Sequence, residues 1–173
     1  LQGRAAAFDL LRSDPGCAVT LADREPAALA ALRAWLAGVL PGGAGADRAG
    51  FATCDAGQAG SVAALARGHD VVLSCVPYWF NFELAQAALS AGCHFLDLGG
   101  STALALRELQ LDGEARRVGR ALVPDCGLGP GMISTIAVHA MRGLERVDEV
   151  RIYDGGLPQR RDLPPLGYRL VFS

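Results

Sequence analysis

A doubly wound parallel α/β sheet, followed by the start of a second α+β domain, is the fold class this sequence predicts. Three observations carry it. Short apolar runs of β-forming residues alternate with stretches at helical spacing, the pattern of parallel strands covered by helices on both faces. The alternation contains no internal repeat, and 173 residues fall well short of the roughly 250 that a closed (β/α)8 barrel needs. After Arg146 the texture changes to strand-like runs joined by a Gly/Pro/Arg loop with no helix between them.

The elements follow in order. Ala5, Ala6, Phe8, Leu10 and Leu11 lie near helical spacing, so the first residues belong to a helix. Cys17–Ala22 (CAVTLA) reads as a short buried strand. Pro26–Leu40 is an Ala/Leu-rich helix with Pro26 suited to its first turn. Pro41–Gly45 is a loop, Phe51–Cys54 a brief strand and Ser61–Ala66 a short helix. Val71–Val76 (VVLSCV) is a buried strand leading to a helix over about Asn81–Ala91. Cys93–Leu98 (CHFLDL) is a strand, Leu104–Val118 one helix, Ala121–Val123 a strand and Gly131–Met141 a helix. Glu149–Tyr153 and Tyr168–Phe172 read as strands of the second domain. The expected division is therefore 1–146 and 147–173.

Composition narrows the function. Hydrophobic residues make up 51% and charged residues 20%, with a net charge of −2, which excludes a disordered chain and lacks the basic footprint of nucleic-acid binding. No apolar run reaches the roughly 18 to 20 residues of a membrane span. Five widely spaced cysteines, Cys17, Cys54, Cys75, Cys93 and Cys126, contain no C-x-x-C. That pattern favours reduced thiols in the cytoplasm over a disulfide framework or a zinc site. All 16 basic residues are Arg, so no Lys Schiff base or Lys general acid can come from this stretch. Leu1-Gln2-Gly3-Arg4 has neither Met nor the features of a signal peptide, and the expectation is a piece of a longer chain at both ends.

In open α/β sheets ligands bind beyond the carboxyl ends of the strands. A dinucleotide fingerprint places its last glycine at the opening of the first helix and an acidic residue about 20 positions on, at the next strand end. Gly3 and Asp23 stand at those places. The Asp23 carboxylate can accept from both ribose hydroxyls and would repel a 2′-phosphate, whereas Arg24 could stack on adenine or hold that phosphate. NAD is favoured over NADP. Gly127-x-Gly129-x-Gly131 imitates the fingerprint, but Pro130 interrupts it and no acidic strand end follows at the right distance. Asp55 ends the next strand, where adenine would pass. Cys75-Val76-Pro77 ends the following one, beside the nicotinamide ribose. Ordinary strand-end caps are the alternative for each.

SCVPYWFNFELAQAALSAGCHFLDLGG (Ser74–Gly100), LVPDCGLGPGM (Leu122–Met132) and GGLPQ (Gly155–Gln159) together resemble the saccharopine dehydrogenase-like family. The similarity is strongest to lysine 6-dehydrogenases and saccharopine dehydrogenase-type relatives, and runs essentially from end to end. The resemblance implies an N-terminal Rossmann domain that binds NAD(P) and a second α+β domain for substrate contacts and dimerisation. It also implies hydride transfer between an amino acid's CH–NH or CH–NH2 group and nicotinamide. By that alignment Gln2 and Gly3 belong to the last half of G-x-G-x-x-G, the first strand being absent, and the partners are an amino-acid substrate and a second copy in a homodimer.

Amine oxidation needs an acceptor for the nitrogen's proton, commonly His or a carboxylate of raised pKa. Asp97 and Asp125 both end apolar strands beside Gly-rich turns, where burial would raise their pKa; either could also hold a substrate ammonium, or cap a turn. Gly99, Gly100 and Gly127 would let backbone approach cofactor or substrate, or are plain turn glycines. Tyr78 and Asn81 are candidates for the substrate wall. Cys126 is the one thiol in a plausible site, and a Cys-dependent semialdehyde dehydrogenase is the second enzyme reading. The third is a non-catalytic dinucleotide binder, and the segment alone is expected to be inactive. His69, His94 and His139 read as structural, His69 at the surface.

Overall fold

The computed structural model describes residues 2–40 and 45–155. Its helices are α1 (Gln2–Ser13), α2 (Pro26–Val39), α3 (Ala59–Ala66), α4 (Asn81–Ser90), α5 (Thr102–Leu109), α6 (Asp112–Val118) and α7 (Met132–Met141). The strands are β1 (Val19–Asp23), β2 (Ala49–Thr53), β3 (Val71–Ser74), β4 (His94–Asp97) and β5 (Leu122–Val123). None of these helices is long and apolar enough to cross a membrane. All five cysteines are free thiols.

Every strand pairing is parallel, as short apolar strands separated by helices require. Asp23 is opposite Thr53, Ser74 opposite Asp97, and Phe95 opposite Leu122, so within each ladder the carboxyl ends lie side by side. The strands form two ladders, β1–β2 and β3–β4–β5. Among the described residues, β1 and β3 each leave one edge without a strand partner. Two contacts bridge the ladders. His69 Nε2 lies 2.9 Å from Thr20 Oγ1, so His69 is half-buried and engaged across the gap, not a surface residue as expected. Helix α1 packs Ala7 and Leu11 with Leu21 of β1, while a Cβ built on Gly3 would stand 3.3 Å from Cys75 Cβ at the end of β3.

Two apolar clusters back these ladders. Ala7, Leu11, Leu21, Leu36 and Leu40 bury the faces of α1, α2 and β1. Ala66, Leu84, Ala85, Ala88, Cys93 and Phe95 do the same for α3, α4 and β4. The last carbonyls of α1 have no partner within the helix. The Arg48 guanidinium reaches one of them, donating to Leu11 O at 2.6 Å, and ties down the turn that follows through Asp14 O at 2.7 Å and Cys17 O.

Three further expectations are corrected. The single helix over Leu104–Val118 is two helices, α5 and α6. The Gln110 and Leu111 N–H groups close tight turns on Arg107 and Glu108, Leu111 turns into the second cluster, and Asp112 and Glu114 open a new helix at the end where acidic side chains are favoured. Cys17 belongs to a turn closed on Asp14 O, so β1 begins two residues later than expected. Glu149–Tyr153 is irregular, not a strand, because no partner ladder for it lies among the described residues; its side chains are exposed. Tyr168–Phe172, residues 41–44 and most of GGLPQ fall outside those residues.

Candidate functional site

The carboxyl ends of β1 and β2 form the first part of the site. Asp23, the last residue of β1, is exposed, and its Oδ1 accepts the Glu25 N–H at 2.9 Å. That bond orients the carboxylate as an Asx turn does, and Oδ2 has no partner among the described residues. Arg24 lies beside it, its Nε 3.5 Å from Glu25 in an exposed pair. The Asp23 carbonyl accepts the Cys54 N–H at 3.0 Å, which brings Asp55 alongside. Asp55 is exposed and its Oδ1 accepts the Gly57 N–H at 2.9 Å, so one of its oxygens is held as a turn cap before α3.

Gln2 and Gly3 stand in the first turn of α1, where unpaired N–H groups and the helix dipole favour an anion. Gly3 is held close against Cys75, where a Cβ would stand 3.3 Å from the Cys75 Cβ. Cys75 and Val76 follow β3, and burial pushes the Cys75 thiol above its ordinary range. Pro77 opens the 3₁₀ turn Tyr78–Phe80. A backbone cradle at α1, a solvent-facing carboxylate at the end of β1 and a guanidinium beside it could hold a dinucleotide: Gly3 would face the pyrophosphate, Asp23 the ribose hydroxyls, and Arg24 adenine or a 2′-phosphate.

The second part is built where β3, β4 and β5 end. A Cβ on Gly100 would meet Tyr78 Cδ1 at 2.8 Å, and one on Gly99 would meet Pro130 Cγ at 2.9 Å and collide with Asp125 Oδ1. A Cβ on Gly127 would collide with the Leu98 carbonyl. The Gly99-Gly100 turn, with φ of +77° and +130°, is thus wedged between Tyr78 on one side and Asp125 and Pro130 on the other. Only glycine meets both the dihedral and the space requirement there.

Asp97 ends β4 with 1% of its surface exposed. Its Oδ1 accepts the Gly99 N–H at 2.6 Å and the Asp125 N–H at 3.3 Å, while Oδ2 is buried without a hydrogen-bond partner. Asp125 holds the left-handed φ of +60°, a conformation that Asp tolerates better than most residues. Its Oδ1 is also buried without a partner. Burial, followed by the neighbouring Asp97 charge, raises the Asp125 carboxyl above the ordinary range. The Cys126 thiol turns back toward the Val123 and Pro124 carbonyls. Burial of the sulfur and the charges of Asp97 and Asp125 push its pKa up, the opposite of what a nucleophilic thiolate requires.

Not every candidate faces this site with a free group. Asn81 is 3% exposed, and its Oδ1 accepts the Ser74 hydroxyl at 2.7 Å. It ties the end of β3 to α4, a structural role at the position where a substrate contact is expected. Glu108 was missed as a sequence candidate. It lies on α5, is 1% exposed, and burial, with the negative charges of Asp97 and Asp125, pushes its carboxyl up to about 8; its Oε2 is buried without a partner. The only signal in the chain was its i+3 spacing from Ala105 on the inward face. Among the described residues no group of three acidic, Cys or His side chains is placed to hold a metal.

Comparison with known proteins agrees with this geometry. Saccharopine dehydrogenase (NADP(+), L-glutamate-forming) of Pyricularia oryzae is 30% identical over 112 residues, covering 61% of this chain and 24% of that protein. Apo histidine-tagged saccharopine dehydrogenase (L-Glu forming) from Saccharomyces cerevisiae superposes with a TM-score of 0.61 at 24% identity, covering 82% of this chain and 28% of that one. At that identity the likeness speaks for a Rossmann-like fold alone. The chain spans about a quarter of the length of these relatives. Residues 1–123 match the family model described as "saccharopine dehydrogenase NADP binding domain"; the cofactor class is therefore a nicotinamide dinucleotide, NAD(P), and the chain belongs to the saccharopine dehydrogenase NADP-binding domain family.

Proposed function

We propose that this segment is the dinucleotide-binding part of an NAD(P)-dependent oxidoreductase acting on the CH–NH or CH–NH2 group of an amino acid of the lysine or saccharopine type. The observation that carries the reading is that Asp23 and the Gly99–Asp125 wedge both stand at carboxyl ends of parallel strands, with Gly3 of α1 packed against Cys75 at the end of β3. Within it we read 147–173 as the opening of a substrate and dimerisation domain, and the enzyme as a cytoplasmic homodimer. The unpaired edges of β1 and β3 support a further parallel strand seated between them, carrying the rest of the phosphate turn.

Bound here, the nicotinamide would take a hydride from the carbon that bears the nitrogen. The chain's own residues supply position and proton transfer. Asp125 Oδ1, buried and unpartnered, accepts the proton from the substrate nitrogen; burial and the Asp97 charge raise its pKa, the direction that favours taking up a proton. Tyr78 and the Gly99-Gly100 turn wall the reacting centre and exclude water. Asp23 holds a ribose through two hydroxyls, which favours NAD; Arg24 is the group that would admit NADP.

Full chain mixed with NAD or NADP and with lysine or saccharopine is expected to develop reduced-nicotinamide absorbance. An Asp125→Asn variant should retain dinucleotide binding and lose about 100- to 10,000-fold in turnover. Dinucleotide binding without turnover on any amino-acid amine would point instead to a non-catalytic binder.

A further inference from the structure

Asp97 is a buried carboxylate that the reaction above leaves without a role. It ends β4 with 1% of its surface exposed, and main-chain N–H groups from two loops converge on it. Its Oδ1 accepts the Gly99 N–H at 2.6 Å and the Asp125 N–H at 3.3 Å, and its carbonyl accepts the Cys126 N–H at 2.8 Å. Two successive N–H groups of the loop after β5 are thus held by one residue of β4. Asp125 needs that support. It keeps a φ of +60° outside any helix or strand, a left-handed conformation that costs free energy in any residue with a side chain. The position of Gly99 in turn limits where the Asp125 side chain can go. A Cβ built on Gly99 would collide with Asp125 Oδ1, so that oxygen lies directly against the glycine.

We propose that Asp97 is a positioning residue: by clamping the Gly99 and Asp125 N–H groups on one oxygen, it fixes where Asp125 Oδ1 stands at the reacting centre. The effect on turnover rests on the proposed reaction; the clamp itself does not. The bond to Gly99 also steadies the opposite wall, because a Cβ on Gly100, the next residue, would meet Tyr78 Cδ1 at 2.8 Å. One carboxylate oxygen therefore sets the spacing between Tyr78 and Asp125. An acceptor atom is all that this role requires. An amide oxygen in the same place should serve, and a side chain with no acceptor should not.

Amide hydrogen exchange of the full chain, read residue by residue by NMR, tests the clamp without any turnover. The Gly99 and Asp125 amides should be protected in the wild type. In Asp97→Ala they should exchange roughly ten- to a hundredfold faster, the worth of a hydrogen bond to a carboxylate. The Cys54 amide, bonded to the Asp23 carbonyl in the other ladder, should keep its rate and report an intact fold. Asp97→Asn retains an acceptor oxygen and should retain most of the protection. Turnover should follow the same order: kcat falls about a hundredfold in the Ala variant through misplacement, with dinucleotide affinity unchanged, and is largely restored in the Asn variant. Equal exchange of the Gly99 and Asp125 amides in wild type and Ala variant overturns the clamp. If the Ala variant loses the Cys54 protection as well, the Asn variant decides: protection kept at Gly99 and Asp125 supports the clamp, and protection lost overturns it. An Asn variant that keeps the protection but is as inactive as Ala overturns the positioning role, since the carboxylate itself is then required. Absence of turnover in every form, with exchange behaving as stated, overturns the proposed reaction and leaves the clamp supported.

Discussion

Gly131→Ala is expected to destabilise the protein by about 3 kcal/mol or more, the sum of a strained backbone conformation and an overpacked contact. Gly131 has φ +125° and ψ −97°, a region essentially reserved for glycine. A Cβ there would lie 2.6 Å from Gly127 N and 2.8 Å from Asp125 O, and would collide with Gly127 O. All three obstacles are backbone atoms of the loop that carries Asp125, so no side-chain rotation relieves them. Urea titration should show a lowered midpoint, and turnover should fall with it because the loop must open. Gly113→Ala in α6 is the control. Nothing lies within 4 Å of a Cβ there, and a helical Ala should gain up to about 1 kcal/mol over Gly.

Phe95→Ala should cost about 3 to 5 kcal/mol, the range for emptying a buried aromatic site. Phe95 is fully buried among Leu84, Ala85, Ala88 and Cys93 on the middle strand of the β3–β4–β5 ladder. Strand side chains alternate between faces, so Asp97, two residues on, emerges on the same buried face. Loosening β4 at Phe95 therefore frees the carboxylate that anchors Gly99 and Asp125. The midpoint of urea unfolding measures the first effect. The second appears as a fall in kcat exceeding any change in dinucleotide affinity, since Gly3 and Asp23 lie on other elements.

The parallel strands were legible because short apolar runs, flanked by helical spacing and Gly-rich turns, have few other ways to bury their faces. Asp97 and Asp125 could be found at strand ends for the same reason. Other features depend on contacts that linear spacing does not contain. Glu108 reads as a solvated helix residue, since a carboxylate is rarely buried without a partner, yet it is 1% exposed on α5. Asn81, a polar residue after an aromatic run, reads as a candidate substrate contact; its buried bond with Ser74 is a contact that spacing does not contain. The break between α5 and α6 is decided by Leu111 turning into the core, and no proline marks it. The wedge of Gly99 and Gly100 between Tyr78 and Asp125 joins three loops, each of which alone reads as an ordinary turn.

The central claim is that the carboxyl edge of these strands holds a nicotinamide dinucleotide, with Asp23 at the ribose. Calorimetric titration of the full chain with NAD and NADP, repeated on Asp23→Ala, tests it most directly. The account predicts saturable binding at one site per chain, tighter for NAD. The substitution should weaken NAD by roughly ten- to a hundredfold, the worth of a hydrogen bond to a charged group, and narrow or reverse the preference over NADP. No binding of either dinucleotide, or NAD affinity unchanged in Asp23→Ala, would contradict it.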